Sequence, residues 1–304
     1  MAFTTTSNYA GKAAGFYISA ALRQATSTDF LTMIENIKYK SNIQKMAGSA
    51  LVKDATCDFT EAGTLAMTEA VLTPKNLQVN TDICKSTLLD SWEALQMRAG
   101  AGAPPPASFD DYVISYLGEI IADATEVSIW GGNDATAGEF TGFVQGAVGH
   151  LVTDGTVNDV VNAGGAGVEY TAANIIANLQ ACTAAIPTAV YTKEDLHIYM
   201  SPKSYRVYIS AISTLGYVNA YSMNNDYDAV FEGIKIAVCP GMNNDVLVAA
   251  ERSNLFFGTD LLSDQTRIQL LDMANLDGSD NLRCVARYSG GTQVGIGADV
   301  VLVS

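Results

Sequence analysis

The sequence is poor in charged residues, in histidine and in cysteines spaced for a metal site. Charged residues make up 16% of its 304 residues, whereas about 25% is usual in a soluble domain. A low charge fraction is typical of a subunit that hides surface against copies of itself, and an ordinary alanine-rich protein explains it equally well. The five cysteines are odd in number and form no CxxC motif, so we expect neither a disulfide framework nor a zinc site. We interpret them as small apolar side chains: Cys57, Cys84, Cys182, Cys239 and Cys284.

Catalytic motifs are also missing. The sequence contains no HExxH metal motif, no GxSxG nucleophile elbow and no phosphate-binding Walker loop. Nothing places a serine beside either of the two histidines, His150 and His197. We therefore predict a protein that is not an enzyme and that uses no metal ion or cofactor. An unrelated enzyme, whose site forms only in the folded chain, is the disfavoured alternative.

Basic residues are scarce and scattered. The chain has 17 Lys and Arg against 32 Asp and Glu, which gives a net charge of -15 at pH 7. Tight binding to nucleic acid needs clustered positive charge, because affinity comes from phosphate neutralisation and counterion release. We therefore expect no tight or sequence-specific binding of DNA, although a weakly repulsive wall suits a container in which packed DNA slides. We also predict no membrane span and no export signal.

The segment 41–91 is nearly without aromatic residues, since Phe59 is its single member of that class. It still alternates between apolar and polar side chains, with a turn signal at Glu61–Thr64 between 56–60 and 65–79. Alternation of period two around a turn predicts a long β-hairpin. An isolated two-stranded hairpin is only marginally stable in water, so we expect this arm to pack on something outside its own domain.

Beyond this arm, capping and periodicity predict a mixture of helices and strands. The clearest helix spans Phe109–Trp130, with Ser108 as its N-cap and one stripe of apolar side chains. At 1.5 Å per residue this helix is a rod of roughly 33 Å, which is long for a globular domain. Further predictions are helices at Ser86–Met97, Thr171–Ala185 and Pro202–Leu215, and strands at Leu196–Met200, Ile234–Val238, Val246–Ala250, Arg267–Leu276, Asn281–Tyr288 and Val294–Val303.

Three groups of motifs follow one another along the chain. They are Leu72–Val79 through Asp110–Val113 to Trp130–Gly132, then Tyr199–Tyr205, and then Phe231–Ile236, Cys239–Met242 and Asn254–Leu261. In this order, with an arm, a hairpin, a long capped helix, a mixed domain and terminal strands, the chain resembles the major capsid protein of tailed phages. The likeness covers most of the sequence.

This resemblance implies an α+β chain with the Hong Kong 97-type capsid fold. That fold has an N-terminal arm, an extended hairpin loop, a peripheral domain with a long spine helix, and an axial domain. The implied ranges are 1–40 for the N-terminal arm, 41–85 for the extended loop, 86–135 with 251–304 for the peripheral domain, and 136–250 for the axial domain.

The same resemblance implies a structural role. It implies a subunit that self-assembles, as hexamers and pentamers, into the icosahedral head shell of a tailed bacteriophage and encloses packaged double-stranded DNA. The implied partners are other copies of the chain, a portal protein, and scaffolding or decoration proteins. The implied location is the virion capsid, assembled in the bacterial cytoplasm. An encapsulin-like nanocompartment shell of the same fold is the alternative.

The extended loop is where the resemblance implies contacts between subunits. The residues expected to make them are Phe59, Leu65, Met67, Val71, Leu72 and Lys75. Because we expect the whole loop to find its partner on a neighbouring copy, we also expect deletion of Thr56–Val79 to leave a folded subunit that forms no shells.

Overall fold

The computed structural model describes residues 26–49, 51–55, 57, 61–84, 107–214, 230–260, 268–276, 278–279 and 281–304. The α-helices in these ranges are α1 (Ala107–Gly131), α2 (His150–Thr153), α3 (Ile175–Ala185), α4 (Thr188–Tyr191) and α5 (Pro202–Thr214). The strands are β1 (Thr32–Ile34), β2 (Ser41–Ser49), β3 (Thr64–Leu72), β4 (Lys75–Cys84), β5 (Asn158–Val160), β6 (Leu196–Met200), β7 (Val230–Phe231), β8 (Ile234–Val238), β9 (Leu247–Glu251), β10 (Leu255–Gly258), β11 (Ile268–Asp272), β12 (Asn281–Val294) and β13 (Val301–Val303).

The first sheet is built around the long strand β12. Its early residues pair antiparallel with β4 and with β11, and its last residues pair with β10. Strand β1 then adds to β10 in parallel. Side chains alternate along β12, so that Leu282, Cys284 and Ala286 are buried while Arg287 is exposed. Helix α1 packs against β11 and β12.

The second sheet has the strand order β5-β13-β9-β6-β8-β7 and is covered on both faces. Strand β9 makes this arrangement clear, because its side chains alternate between two cores. Val248 and Ala250 point into a core shared with the end of α1, whereas Leu247 and Ala249 point into a core shared with α3 and α5. The near-continuous apolar sequence of β9 follows from this burial on both faces.

The buried carboxyl group of Glu126 joins three distant parts of the chain. Glu126 lies in α1 and is 0% exposed. Its Oε1 accepts hydrogen bonds from the Ser27 hydroxyl at 2.5 Å and from the Gly241 N–H at 3.1 Å, and its Oε2 accepts one from the Ser27 N–H at 3.1 Å. The Trp130 indole N–H donates to the Ser27 hydroxyl at 2.7 Å. These bonds hold a short 3-10 helix (Thr26–Phe30) and the turn after β8 against α1.

Gly241 allows this turn to approach the helix backbone. A Cβ atom at Gly241 would lie 2.1 Å from the carbonyl oxygen of Glu126. That distance is far inside van der Waals contact, so a side chain here would push the turn away from α1. The glycine is therefore required by the close approach of two backbones.

Several predicted elements are confirmed. Strands Leu196–Met200 and Ile234–Val238 have the predicted bounds, and the helix from Pro202 is present. Ser201 caps that helix, because its hydroxyl accepts a hydrogen bond from the Ser204 N–H at 3.1 Å. The long helix is also confirmed as Ala107–Gly131. The predicted helix at Ser86–Met97 lies outside the described residues.

Several predicted boundaries are wrong. The strand predicted at Arg267–Leu276 ends at Asp272, and the strand predicted at Asn281–Tyr288 continues to Val294. The long helix begins at Ala107, so Ser108 lies within its first turn and not at the predicted N-cap position. Helix α3 begins at Ile175, because the side chain of Asn174 bonds back to the Thr171 N–H and closes a turn there. The last strand is only Val301–Val303.

The short last strand has a local cause. The side-chain amide of Asn254 bonds the backbone just after β12, accepting from the Ile296 N–H at 2.6 Å and donating to the Ile296 carbonyl oxygen at 2.8 Å. The chain turns there and returns as β13, which pairs with β9 in the second sheet. The end of 251–304 therefore lies with the sheet formed by 136–250, and not with the sheet built around β12.

Replacement of Glu126 by alanine should destabilise the folded subunit. The buried donors on Ser27 and Gly241 would lose their acceptor, and each such loss costs about 1–3 kcal/mol. We expect a loss of about 3 kcal/mol in the free energy of unfolding, measured by urea denaturation of unassembled subunits. Glu119→Ala, at an exposed position of the same helix, is the matched control and should change stability by less than about 0.5 kcal/mol. Equal losses from both variants would contradict a special role for Glu126.

Candidate assembly surface

Strands β2 and β3 form a two-stranded antiparallel sheet that is separate from the other two sheets. Ser41 pairs with Leu72 at its base, and Ser49 pairs with Thr64 at its far end. Along β3 every residue from Thr64 to Glu69 is exposed, and along β2 so is every residue from Met46 onward. The far half of the hairpin therefore stands in solvent on both faces.

The base of the hairpin is fixed to its own chain by close packing on two glycines. A Cβ atom at Gly258 would lie 2.4 Å from Leu72 Cδ2, so the Leu72 side chain rests directly on the β10 backbone. A Cβ atom at Gly291 would lie 3.0 Å from the Cα of Pro74. Proline has no N–H and is poorly suited to a continuous strand. The chain bends at Thr73 and Pro74, and β4 then joins the first sheet beside β12.

The register assigns the hairpin side chains to two faces. Leu72 and Ala70 are buried on the inner face, which turns toward the protein's own core. The inner face continues outward with exposed small and polar side chains from β3, namely Thr68, Ala66 and Thr64. The outer face carries Val71, Glu69, Met67 and Leu65 from β3 with Asn42, Gln44, Met46 and Gly48 from β2.

An apolar stripe runs along the outer face. Met46 and Met67 lie directly opposite each other and are 61% and 62% exposed. Next to them, the side chains of Leu51 and Leu65 both lie over Gly48, where an added Cβ would be 2.9 Å and 3.3 Å from their Cδ1 atoms. We call Val71, Met46, Met67, Leu65 and Leu51 the outer stripe. It is a set of exposed large apolar side chains on one face of a protruding element, and such sets mark interaction surfaces.

The residues expected to contact a neighbour differ in exposure: some are exposed together, and others are engaged within their own chain. Leu65, Met67 and Val71 are exposed together in the outer stripe. Leu72 is a correction: it is 0% exposed inside its own chain and cannot reach a neighbour in this conformation. Lys75 also makes its contact within its own chain, because its ammonium group donates to the Asp134 carbonyl oxygen at 2.5 Å. Phe59 lies outside the described residues.

The predicted hairpin is therefore right in kind and wrong in its pairing. The partner of β3 is Ser41–Ser49 and not a strand at 56–60, most of which lies outside the described residues. The segment from Leu72 to Cys84 finds its partners in its own chain, since β4 pairs with β12 and Leu77 is buried in the first core. Deletion of Thr56–Val79 would remove core side chains, so the expectation that it leaves a folded subunit is wrong.

Sequence reasoning missed two members of the outer stripe. The predicted contacts omit Met46, because the predicted hairpin pairs 65–79 with 56–60 and leaves β2 out. They omit Leu51 because it follows the end of β2. Residues 43–47 (Ile-Gln-Lys-Met-Ala) show no regular apolar and polar alternation. The sequence therefore gives neither the faces of β2 nor the strand with which it pairs.

Outside the hairpin, the titratable side chains of the described residues form no metal-binding cluster. No group of three or more His, Cys, Asp or Glu side chains in the described residues could hold a metal ion. The His197 Nδ1 lies 2.8 Å from the Asp195 carbonyl oxygen, and burial lowers the pKa of His150 while a backbone hydrogen bond at Thr292 raises it. Burial raises the pKa of the Cys182 thiol to about 12, so this cysteine is a protonated core residue. Among the described helices, none is both long and apolar enough to cross a membrane.

Solved structures with this arrangement of elements are capsid subunits. The chain matches the capsid of a native GTA particle with TM-score 0.60 at 12% identity, covering 100% of this chain and 95% of that one. It matches the capsid of an empty GTA particle with TM-score 0.59 at 13% identity, covering 99% and 94%. The capsid structure of the cyanophage P-SCSP1u matches with TM-score 0.57 at 11% identity, covering 99% and 92%. This chain has the Hong Kong 97-type fold.

The likeness lies in the fold and hardly in the sequence. No family model and no curated protein matches the chain, and identities of 11–13% to the solved capsids leave few shared side chains. The Hong Kong 97-type fold nevertheless extends over nearly the full length of this chain and of those subunits. The likeness therefore establishes the fold as a whole, and the function of this chain must be argued from its own surfaces.

Two leucines on the same strand should respond differently to truncation. Leu72→Ala should lower the free energy of unfolding of the unassembled subunit by about 2–5 kcal/mol, because it opens a cavity over Gly258. Leu65→Ala should change it by less than about 0.5 kcal/mol, because Leu65 is already 58% exposed. Urea denaturation of both variants is the measurement. A large loss for Leu65→Ala would mean that the outer stripe is covered within its own chain.

Proposed function

We propose that this chain is a major capsid protein that self-assembles, as hexamers and pentamers, into the icosahedral head shell of a tailed bacteriophage. The single observation that carries the proposal is the outer stripe on a hairpin whose far half is exposed and pairs with no other sheet among the residues that the structure describes. A lone two-stranded hairpin gains little stability in water. Contact with a neighbouring copy would bury the stripe, at roughly 1.5–3 kcal/mol for each large apolar side chain fully removed from water.

The proposed interior is a container for double-stranded DNA. A net charge of -15 in each copy gives no electrostatic footprint for tight binding to a phosphate backbone. A shell built from such acidic copies would enclose DNA without binding it tightly. This suits a genome that enters during packaging and leaves during infection. Portal and scaffolding or decoration proteins are further proposed partners, and the virion is the proposed location.

We also assign the two sheets to the two proposed domains. The sheet built around β12, with α1, forms the peripheral domain, and the six-stranded sheet with α3 and α5 forms the axial domain. The assignment follows the domains that the sequence resemblance implies, and it differs from the sequence-based ranges in two places. The extended loop narrows to β2, β3 and their connection, and β13 joins the axial domain.

An encapsulin-like shell around an enzyme cargo is the alternative with the same fold. The matched structures reported above are phage and GTA capsids, which favours a virion shell. The two functions differ in what the particle encloses. Nuclease-resistant DNA recovered from particles purified from the native source supports the phage shell, whereas a co-purifying protein cargo without DNA supports the nanocompartment.

Electron microscopy of the purified chain tests assembly directly. We expect closed shells, tubes or capsomer rings from the full chain. A variant that replaces residues 46–67 by Asn-Gly should not form them, because it keeps the paired base from Ser41–Lys45 to Thr68–Leu72 and removes most of the outer stripe. The circular dichroism spectrum and urea midpoint of the short variant check that it is folded. A full chain that stays monomeric at high concentration would refute the proposal.

Matched substitutions on the two faces of the hairpin test which face makes the contact. Met67→Gln and Leu65→Gln place a polar group in the outer stripe and should raise the protein concentration needed for assembly by about tenfold or more, since burying an amide costs about 1–3 kcal/mol. Ala66→Gln places the same group at an exposed position of the inner face and should have a smaller effect. Light scattering against protein concentration measures the threshold. A larger effect from Ala66→Gln would assign the contact to the inner face.

A further inference from the structure

Two methionines occupy the middle of the outer stripe. Met46 and Met67 face each other across β2 and β3, and each exposes more than half of its side chain. Other methionines in the described residues are protected: Met200, Met242 and Met273 are buried, and Met33 packs partly buried against the first core. The exposed thioethers of the described chain are thus concentrated at one place, on the hairpin face that the proposed function assigns to a neighbouring copy.

The thioether can be converted into a polar group without any other change in the chain. Hydrogen peroxide transfers one oxygen atom to the methionine sulfur, which gives a sulfoxide, and the peroxide is reduced to water. The sulfur is oxidised by two electrons and no bond of the protein breaks. A flexible apolar side chain becomes a polar one with a strong hydrogen-bond acceptor, and methionine sulfoxide is known to disrupt methionine-rich interfaces.

Solvent access decides which methionines react. An exposed thioether meets peroxide freely, whereas a buried one must wait for the protein to open locally. In the separate subunit, Met46 and Met67 therefore oxidise before Met200, Met242 and Met273. In an assembled shell a neighbouring copy covers the outer stripe, so the same two residues become protected.

We propose that the Met46–Met67 pair is an oxidation site that controls assembly: peroxide blocks free subunits from joining, and burial against a second copy protects subunits that have already joined. This inference rests on the proposed function, because it takes another copy of this chain as the occupant of the stripe. Two sulfoxides at the centre of the contact would lack partners there, whereas on the free hairpin they are solvated by water. The block therefore acts on assembly and leaves the fold of the subunit intact.

The experiment compares oxidation of free and assembled protein. Unassembled subunits and purified shells are exposed to the same hydrogen peroxide concentration, and peptide mass spectrometry follows sulfoxide formation at each methionine. Met46 and Met67 should oxidise at least about tenfold more slowly in shells than in free subunits, in line with the loss of their exposure. Met200, Met242 and Met273 should oxidise slowly in both samples and serve as internal controls.

Assembly of the oxidised subunits is then measured by light scattering. Subunits oxidised at Met46 and Met67 should require about tenfold more protein to assemble than untreated subunits. Treatment with methionine sulfoxide reductases and a thiol reductant should restore the original threshold, because these enzymes return both sulfoxide epimers to the thioether. An unchanged circular dichroism spectrum after oxidation checks that the fold is kept.

A double variant, Met46→Leu with Met67→Leu, removes the reactive sulfurs and keeps the apolar volume. Peroxide should leave the assembly threshold of this variant at the value that the variant itself shows before treatment. If its assembly remains as sensitive to peroxide as that of the unmodified chain, oxidation acts at another residue and the inference is overturned. The inference is also overturned if Met46 and Met67 oxidise equally fast in shells and in free subunits. Failure of untreated subunits to form any shell would instead refute the proposed function, so the two failures are distinguishable.

Discussion

The arrangement of the two sheets depends on one buried carboxyl group. Glu126 receives hydrogen bonds from Ser27 and Gly241, which are far apart in the sequence, while its own helix contacts the first sheet. A buried acceptor must be satisfied, so these bonds hold the 3-10 helix at Thr26–Phe30 and the turn after β8 against the helix. Because α1 contacts the first sheet and the turn follows a strand of the second, this acceptor links the two sheets, next to the apolar core that both share.

The hairpin of β2 and β3 projects from this packed body, with a base that is held by close contacts and a far half that is exposed. Its base is set by the Leu72 side chain on Gly258 and by the backbone of Thr73 and Pro74 on Gly291, two places without space for an added Cβ atom. Farther from the base, every residue of β3 from Glu69 back to Thr64 is exposed. The same strand thus performs two tasks in sequence: its last residues stabilise the subunit, and its first residues remain available to a neighbour.

Elements set by local sequence could be predicted, and elements set by distant partners could not. Strand β6 and helix α5 follow from an apolar run and a Ser-Pro cap, signals contained within a few residues. The pairing of β3 with β2 rather than with 56–60 depends on a proline bend and on a sheet completed more than 200 residues later by β12. Leu72 and Leu65 look alike in the sequence, since alternation gives two faces without saying which one meets the core. For this reason the predicted contacts with a neighbour include Leu72, which is buried within its own chain.

The chemistry of the outer stripe suits a surface that must meet more than one neighbour geometry. In the proposed shell of hexamers and pentamers, one sequence would make contacts that differ slightly in angle between the two environments. Leucine and valine have few rotamers, whereas methionine has three rotatable side-chain bonds and a polarisable sulfur, and so fits irregular partners. Placing Met46 opposite Met67 puts this adaptability at the middle of the contact. The property that lets the pair fit several partners, an accessible and flexible thioether, is also the property that exposes it to oxidation before assembly.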